Sequence, residues 1–254
     1  MAVSGLPGSI LGSHVPSEAT PGTSWLARAL AATGLGTFFI LSPLLLILAT
    51  GWDWMVGSLF ALVGVTLVYT LLVVGQHTRH LDLPIAVALQ RLQFPGLRRL
   101  VLVANWAGMA PEVMSAVAIL SIGLALFGQP SDAWLVSMSI MLRPVARLLK
   151  DVCQLSRPTA TQLVVRRIPK TASFPSAHVL AMTLVSGSLA FVLARAVEQP
   201  VVSLVCWVGA GLVLLVVGVS RVHVGAHWPS DVLGGYLWGA CLLLLLVQIH
   251  ARML

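Results

Sequence analysis

The chain has 254 residues, of which 58% are hydrophobic and only 9% charged, with a mean hydropathy of +0.96. A soluble domain carries roughly 25% charged residues, so this chain has too little polar surface for a water-facing exterior, and a membrane protein is expected. Its net charge of +7, from 15 Lys+Arg against 8 Asp+Glu, then points to basic loops or an anion site at the bilayer, with no nucleic-acid partner.

Residues 1–24 are rich in Gly, Pro, Ser and Thr, with no basic residue before Arg28. That composition predicts a flexible arm over residues 1–28 and not a signal peptide. Ala29–Trp52 is charge-free and long enough to span a bilayer, although "GTFFILSPLLL" carries glycine and proline breakers; residues 29–53 are expected to form an additional N-terminal hydrophobic helix. Trp54–Gln76 follows after Asp53 as a second candidate span. The next segment, "HTRHLDLPIAVALQRLQFPGLRR", mixes polarity with prolines and four Arg, which predicts an amphipathic piece lying at the membrane surface. Leu100–Phe127 reads as a third span interrupted by Glu112, a carboxylate expected to pair with Arg143 or Arg147 on the next helix. Ala133–Lys150, Val179–Ala194, Val201–Val219 and Val232–Ile249 complete the series. The fold class expected is all-α: a polytopic membrane helix bundle of six core transmembrane helices over residues 54–254, plus the additional N-terminal helix. Gly235 and Gly239 form a GxxxG spacing that predicts close helix packing. Trp52, Trp54 and Trp228 read as interface anchors. Cys153, Cys206 and Cys241 are far apart and fit neither a disulfide framework nor a metal-ligand pattern.

From Ala133 onward the up-and-down order brings three polar clusters to one membrane face. They are "KDVCQLSRP" with Lys150 and Arg157, "FPSAH" with Ser176 and His178, and "SRVHVGAHWPSD" with Arg221, His223, His227 and Asp231. Continued as one helix, Arg143, Arg147, Lys150 and Arg157 would share a cationic stripe. Ser176 stands where a helix start offers free N–H groups and the positive dipole end to an anion. His227 and Asp231, four residues apart, can meet if the last helix begins early enough, so that the carboxylate fixes one imidazole tautomer. Cations, a serine, helix N–H donors and two imidazoles suit a phosphate group, with one His attacking and the other protonating the departing oxygen.

In their order, "K-x6-RP", "PSxH" and "SR-x5-H-x3-D" resemble the type 2 phosphatidic acid phosphatases. The resemblance covers roughly residues 55–250, with the motifs confined to 150–231. It implies an integral membrane lipid phosphatase, undecaprenyl-diphosphatase-like, working without metal or other cofactor. By resemblance His227 is the nucleophile that becomes phosphohistidine, Asp231 orients it, and His178 protonates the leaving group. Lys150, Arg157, Ser176 and Arg221 hold the phosphate oxygens. One position departs from the family: Ala177 stands where the second motif usually has Gly.

The substrate expected is a membrane lipid phosphate or diphosphate: undecaprenyl diphosphate, phosphatidate or phosphatidylglycerol phosphate. Transfer of the phosphoryl group to another lipid is the alternative chemistry, and an anion transporter the alternative class. A multi-pass protein of the bacterial inner membrane is implied. The excess of Arg79, Arg91, Arg98 and Arg99 on the site's face places the site in the cytoplasm, whereas bacterial relatives working on the outer face point the other way. No oligomeric state follows from the sequence.

Overall fold

The computed structural model describes residues 54–93, 95–107, 110–141, 143–165 and 171–254. The expected arm and additional hydrophobic helix, at 1–53, lie outside the described residues. Every regular element among the described residues is helical: α1 (Trp54–Val74), α2 (Arg79–Arg91), α3 (Leu97–Ala107), α4 (Ala110–Leu126), α5 (Pro130–Met141), α6 (Arg143–Cys153), α7 (Ala177–Val197), α8 (Pro200–His223) and α9 (Pro229–Ala251). Among them α1, α7, α8 and α9 are long and apolar enough to cross a membrane, and α4 is a shorter apolar helix.

Helix α1 shows how the pattern sets the packing. Val56, Leu59, Val63, Thr66, Thr70 and Val73 are buried and alternate steps of three and four, one stripe of a helix. Val65, Val68, Leu71 and Leu72 between them are exposed, as expected of a face turned to lipid, where apolar surface needs no cover. In α8 almost the whole shaft is of this second kind, with Leu204, Val205, Val208, Leu212 and Leu215 exposed and burial confined to its last turns, Val217–Val222. Helix α7 is the axis of the bundle: it packs against α5, α6, α8 and α9 and contributes Leu180 and Leu184 to the main apolar cluster.

The glycine pair read from the sequence explains how closely α9 meets α7. A Cβ on Gly235 would lie 2.9 Å from the Ser176 carbonyl oxygen and from Val179 Cβ, and one on Gly239 would lie 2.6 Å from Thr183 Cβ. Only hydrogen fits, so the backbones approach, and the Ser176 N–H donates to the Asp231 carbonyl oxygen at 2.9 Å.

Among the described residues, two expected spans are each covered by two helices. Leu100–Phe127 falls into α3 and α4, which pack against different partners, α3 on α8 and α4 on α5. Glu112 therefore stands in the first turn of α4, exposed, and not deep within a span. It forms no ion pair with the exposed Arg147, and the Arg143 side chain lies outside the described residues. Ala133–Lys150 is carried by α5 and α6 in succession. Helix α6 stops at Cys153, where Gln154 takes a left-handed conformation (φ 46°), so Arg157 does not continue the helical stripe of Lys150.

At the end of the bundle away from the three polar clusters, Asp132 joins three helices. Its carboxylate accepts hydrogen bonds from Arg195 Nη2 at 3.1 Å and lies 2.7 Å from His250 Nε2. Asp132 and His250 are buried, and the His250 ring meets Phe191 edge-on at 5.5 Å. Removing one member of a buried polar cluster strands the others. Asp132→Ala is expected to cost about 3 kcal/mol of stability, seen as a lower Tm in detergent with KM unaltered; an unchanged Tm would remove this cluster as a tie.

Candidate active site

The site is assembled from four chain segments. Helix α6 presents Lys150, which is 6% exposed; its Nζ donates to the carbonyl oxygens of Ala172 at 2.6 Å and Ser173 at 3.0 Å. An ammonium has three protons; among the described residues two are taken by these carbonyl oxygens, which leaves one for a further acceptor. Past α6, Arg157 is held from three directions. Its Nε donates to Thr171 O at 2.8 Å, Nη2 to Ala172 O at 3.1 Å, and Nη1 to Ala226 O at 2.6 Å. The two cations thus pin residues 171–173, the run leading into α7. Burial lowers the pKa of Arg157, opposed by the Asp231 charge.

Ser176 is the N-cap of α7 and fully buried, yet its Oγ has no hydrogen-bond partner among the described residues. A buried hydroxyl left so is costly, and it stands at the positive end of a helix dipole, where an anion would be favoured. His178 follows one residue into the helix and is half-buried. Ala177 between them is half-buried and packs against the main apolar cluster, so its methyl has an apolar setting.

The third segment is the turn between α8 and α9. Arg221, 6% exposed, ends α8, and its carbonyl oxygen accepts the N–H groups of Ala226 at 3.0 Å and His227 at 3.3 Å. This tight reversal needs Gly225 at φ +70°, where a Cβ would lie 2.5 Å from Val164 O. Helix α9 begins only at Pro229, a residue suited to a first helical position. His227 and Asp231 therefore do not stack on one helical face as expected; they meet across the cap. Asp231 Oδ2 accepts the Trp228 N–H at 2.8 Å and the Ser173 hydroxyl, and stands 3.4 Å from His227 Nδ1. On the other side of the ring, Arg157 Nη1 lies 3.1 Å from His227 Nε2. A guanidinium can only donate, so Nε2 carries the lone pair and the proton sits on Nδ1, toward Asp231. Burial lowers the His227 pKa to about 4, with Asp231 opposing the shift. The imidazole is accordingly neutral at pH 7.

The fourth segment is α2, which lies along this face of the bundle. Asp82, 2% exposed, accepts the Ser230 N–H and hydroxyl, each at 2.8 Å, and burial raises its pKa while both bonds act the other way. Tyr69, near the end of α1, donates to Ser230 O at 3.0 Å. Arg79 lies over the Trp228 ring, 4.8 Å from its centroid, and lines with Arg157, Ser156, Thr159, Gln162 and Trp228 a cavity of about 440 Å³.

The structure thus brings together Lys150, Arg157, Ser176, Arg221, His227 and Asp231, with His178 at the same helix start. His223 is turned aside; its Nδ1 is 3.1 Å from Leu89 O and it borders a separate cavity with Gln90 and Arg98. Sequence reasoning did not find Ser173, Asp82 or Tyr69. Ser173 stands three residues before Ser176, and Asp82 lies within an amphipathic helix; neither position carries a spacing signal. Among the described residues no three His, Cys, Asp or Glu side chains converge as metal ligands.

Cations around a His–Asp pair stand at one end of an apolar helix bundle, an arrangement suited to a phosphate group. Residues 132–253 match the PAP2 superfamily model, and together with the relatives that follow this match supports a phosphoric ester hydrolase. Phosphatidylglycerophosphatase B of Bacillus subtilis (strain 168) is 26% identical over 190 residues, covering 72% of this chain and 91% of the relative. An undecaprenyl-diphosphatase of Sulfolobus acidocaldarius is 32% identical over 83 residues, 33% of this chain and 36% of that protein. In fold the chain is similar to the crystal structure of a transmembrane PAP2 type phosphatidylglycerolphosphate phosphatase from Bacillus subtilis, with a TM-score of 0.65 and 21% identity over 77% of this chain and 97% of that one.

Proposed function

We propose that the chain hydrolyses a lipid phosphate or diphosphate through a phosphohistidine on His227. The observation that carries this reading is the neutral, Nδ1-protonated His227 beside Asp231, with Lys150 and Arg221 buried and Arg157 half-buried around it. A phosphate entering the site would take the free Lys150 proton, the Ser176 hydroxyl and the guanidinium groups as donors to its equatorial oxygens. Arg157 would turn its Nη1–H from His227 Nε2 to the phosphate, which exposes the lone pair. Nε2 attacks phosphorus in line, the bond to the lipid oxygen breaks with its electron pair, and His178 supplies the proton to that oxygen. The phosphorylated ring is cationic, a charge that Asp231 offsets. Water then attacks phosphorus, His178 takes up its proton, and phosphate leaves His227 as it began. No cofactor enters this scheme.

The lipid tail would stay in the bilayer while the head enters from the interface. Taking α4, and α5 with α6, as crossings beside α1, α7, α8 and α9 gives the six core transmembrane helices; the 12 residues of α5 and the 11 of α6 rise about 18 Å and about 17 Å as helix. The domain would be residues 54–254, in a bacterial inner membrane. Undecaprenyl diphosphate and phosphatidylglycerol phosphate are the first substrates to test, since the relatives are named for reactions on such lipids.

The test is phosphate release by purified protein in detergent with EDTA, from undecaprenyl diphosphate, phosphatidylglycerol phosphate and phosphatidate. Release from at least one is expected. Silence on all three from folded protein, with label passing instead to an acceptor lipid, would replace hydrolysis by transfer. The same assay gives the pH dependence. His227 must be neutral to attack, and its depressed pKa keeps it so down to about pH 4, so the acid limb of kcat/KM, a property of the free enzyme, should fall near pH 4. A limb near 6.5, the ordinary imidazole value, would show that burial does not govern the nucleophile.

A further inference from the structure

Ser230 stands one residue before Asp231 in the first turn of α9, and each of its three polar groups is held from outside that helix. Asp82 of α2 takes the N–H and the hydroxyl, each at 2.8 Å, and Tyr69 of α1 reaches the carbonyl oxygen at 3.0 Å. The free N–H groups of a helix start are ordinarily met by a local cap. Here the Trp228 N–H is met by Asp231, but the next donor, Ser230 N–H, is met by a carboxylate 148 residues earlier in the chain. Asp82 is 2% exposed, and such burial is costly for a carboxylate. Its placement opposite a helix N-terminus with two donors offsets that cost.

The rest of α2 has a different task. Leu81, Leu83 and Ile85 are exposed apolar side chains, suited to the lipid boundary, and Asp82 with Ala86 forms the stripe turned to the bundle. Helix α2 has other ties, Gln90 to the Val164 and His223 carbonyl oxygens and Arg79 over Trp228, but the buried carboxylate of Asp82 is its bond to Ser230, beside the nucleophile's partner, and so acts as a positioning device. We infer that Asp82 is a positioning residue for the phosphoryl-transfer step: by clamping Ser230 it sets where Asp231, and through it His227, stands relative to the phosphate. The inference rests on the histidine mechanism proposed above. The side chain itself touches no reacting atom, because Ser230 lies between.

Positioning through a second layer is worth about 10–100-fold in activity in comparable settings, and it acts on the reaction step more than on substrate capture. Asp82→Ala is therefore expected to lower kcat about 10–100-fold with KM within about twofold. Asp82→Asn keeps an oxygen for the Ser230 N–H and an amide for the hydroxyl, so it should recover kcat to within a few-fold of wild type. The measurement is steady-state phosphate release from the best lipid of the panel, with wild type and His227→Ala alongside. Unchanged kcat in Asp82→Ala overturns the inference, as does a raised KM at constant kcat, which would make α2 a substrate-binding element. Equal losses in the Asn and Ala variants also overturn it, because charge and not hydrogen-bond geometry would then be what matters. If Asp82→Ala yields no monodisperse protein, Ser230→Ala decides: a kcat drop of about threefold or more at constant KM supports the clamp, and wild-type kcat overturns it. A wild type silent on every lipid would sink the phosphatase reading and the clamp's role with it. An active wild type whose His227→Ala variant stays active would sink the histidine mechanism, and the clamp falls with it.

Discussion

His227→Ala is expected to reduce phosphate release by about 10⁴–10⁶-fold, the loss that follows when a covalent nucleophile is removed while its binding groups remain. The geometry gives the reason for so large an effect. His227 offers a lone pair held by structure: Nε2 accepts from Arg157 at 3.1 Å and Nδ1 faces Asp231 at 3.4 Å. Burial keeps the ring neutral, so no proton has to be removed before attack. Rapid quench of wild type during turnover of a phosphorus-labelled lipid should leave an acid-labile label on the protein, and the variant should carry none. A variant retaining more than a tenth of wild-type kcat would end the claim that His227 is the nucleophile.

Asp231→Asn is the second large effect, with kcat expected to fall about 10³-fold or more, as when the carboxylate of a His–carboxylate pair is replaced. One oxygen, Oδ2, accepts the Trp228 N–H and the Ser173 hydroxyl and faces His227. An amide oxygen can occupy that place, so the turn should survive. What it lacks is the charge that offsets the phosphorylated, cationic ring. The loss therefore belongs to kcat, and KM should stay within about threefold because Lys150, Arg157 and Arg221 are untouched. A KM rise matching the kcat fall would instead mean that Asp231 shapes the phosphate pocket. A near-normal Tm in the same sample separates either outcome from unfolding.

The residues that the fold brings together were legible because they sit at short, fixed separations: Lys150 to Arg157, Ser176 to His178, Arg221 through His227 to Asp231. Spacing of that kind survives any arrangement of the surrounding helices. The membrane bundle was legible from charge-free runs, and the tight α7–α9 approach from Gly235 and Gly239. Local geometry was less so. Pro229 delays α9 past His227, and Gln154 ends α6 before Arg157, so two contacts expected on helix faces are made through turns instead. Hydropathy also joined α3 to α4, because both are apolar although they pack on different neighbours. Ser173, Tyr69 and Asp82 could not be found by pattern. They reach Asp231 or Ser230 across 58, 161 and 148 residues, separations at which only the folded chain defines proximity.

The order of the site along the chain bears on its biosynthesis. Helices emerge from the ribosome N-terminal first, so Lys150 and Arg157 are made ahead of Ser176 and His178. The turn holding His227 and Asp231 comes last. Until α9 is in place, the Ser173 hydroxyl lacks Asp231, Asp82 lacks both Ser230 donors, and the Ser176 N–H lacks the Asp231 carbonyl oxygen. A half-translated chain therefore holds Lys150 and Arg157 without the turn that carries Asp231. Stalled or truncated products ending before Pro229 should be both inert and marked for quality control by their stranded buried charges, so that the enzyme becomes active and durable in a single late step.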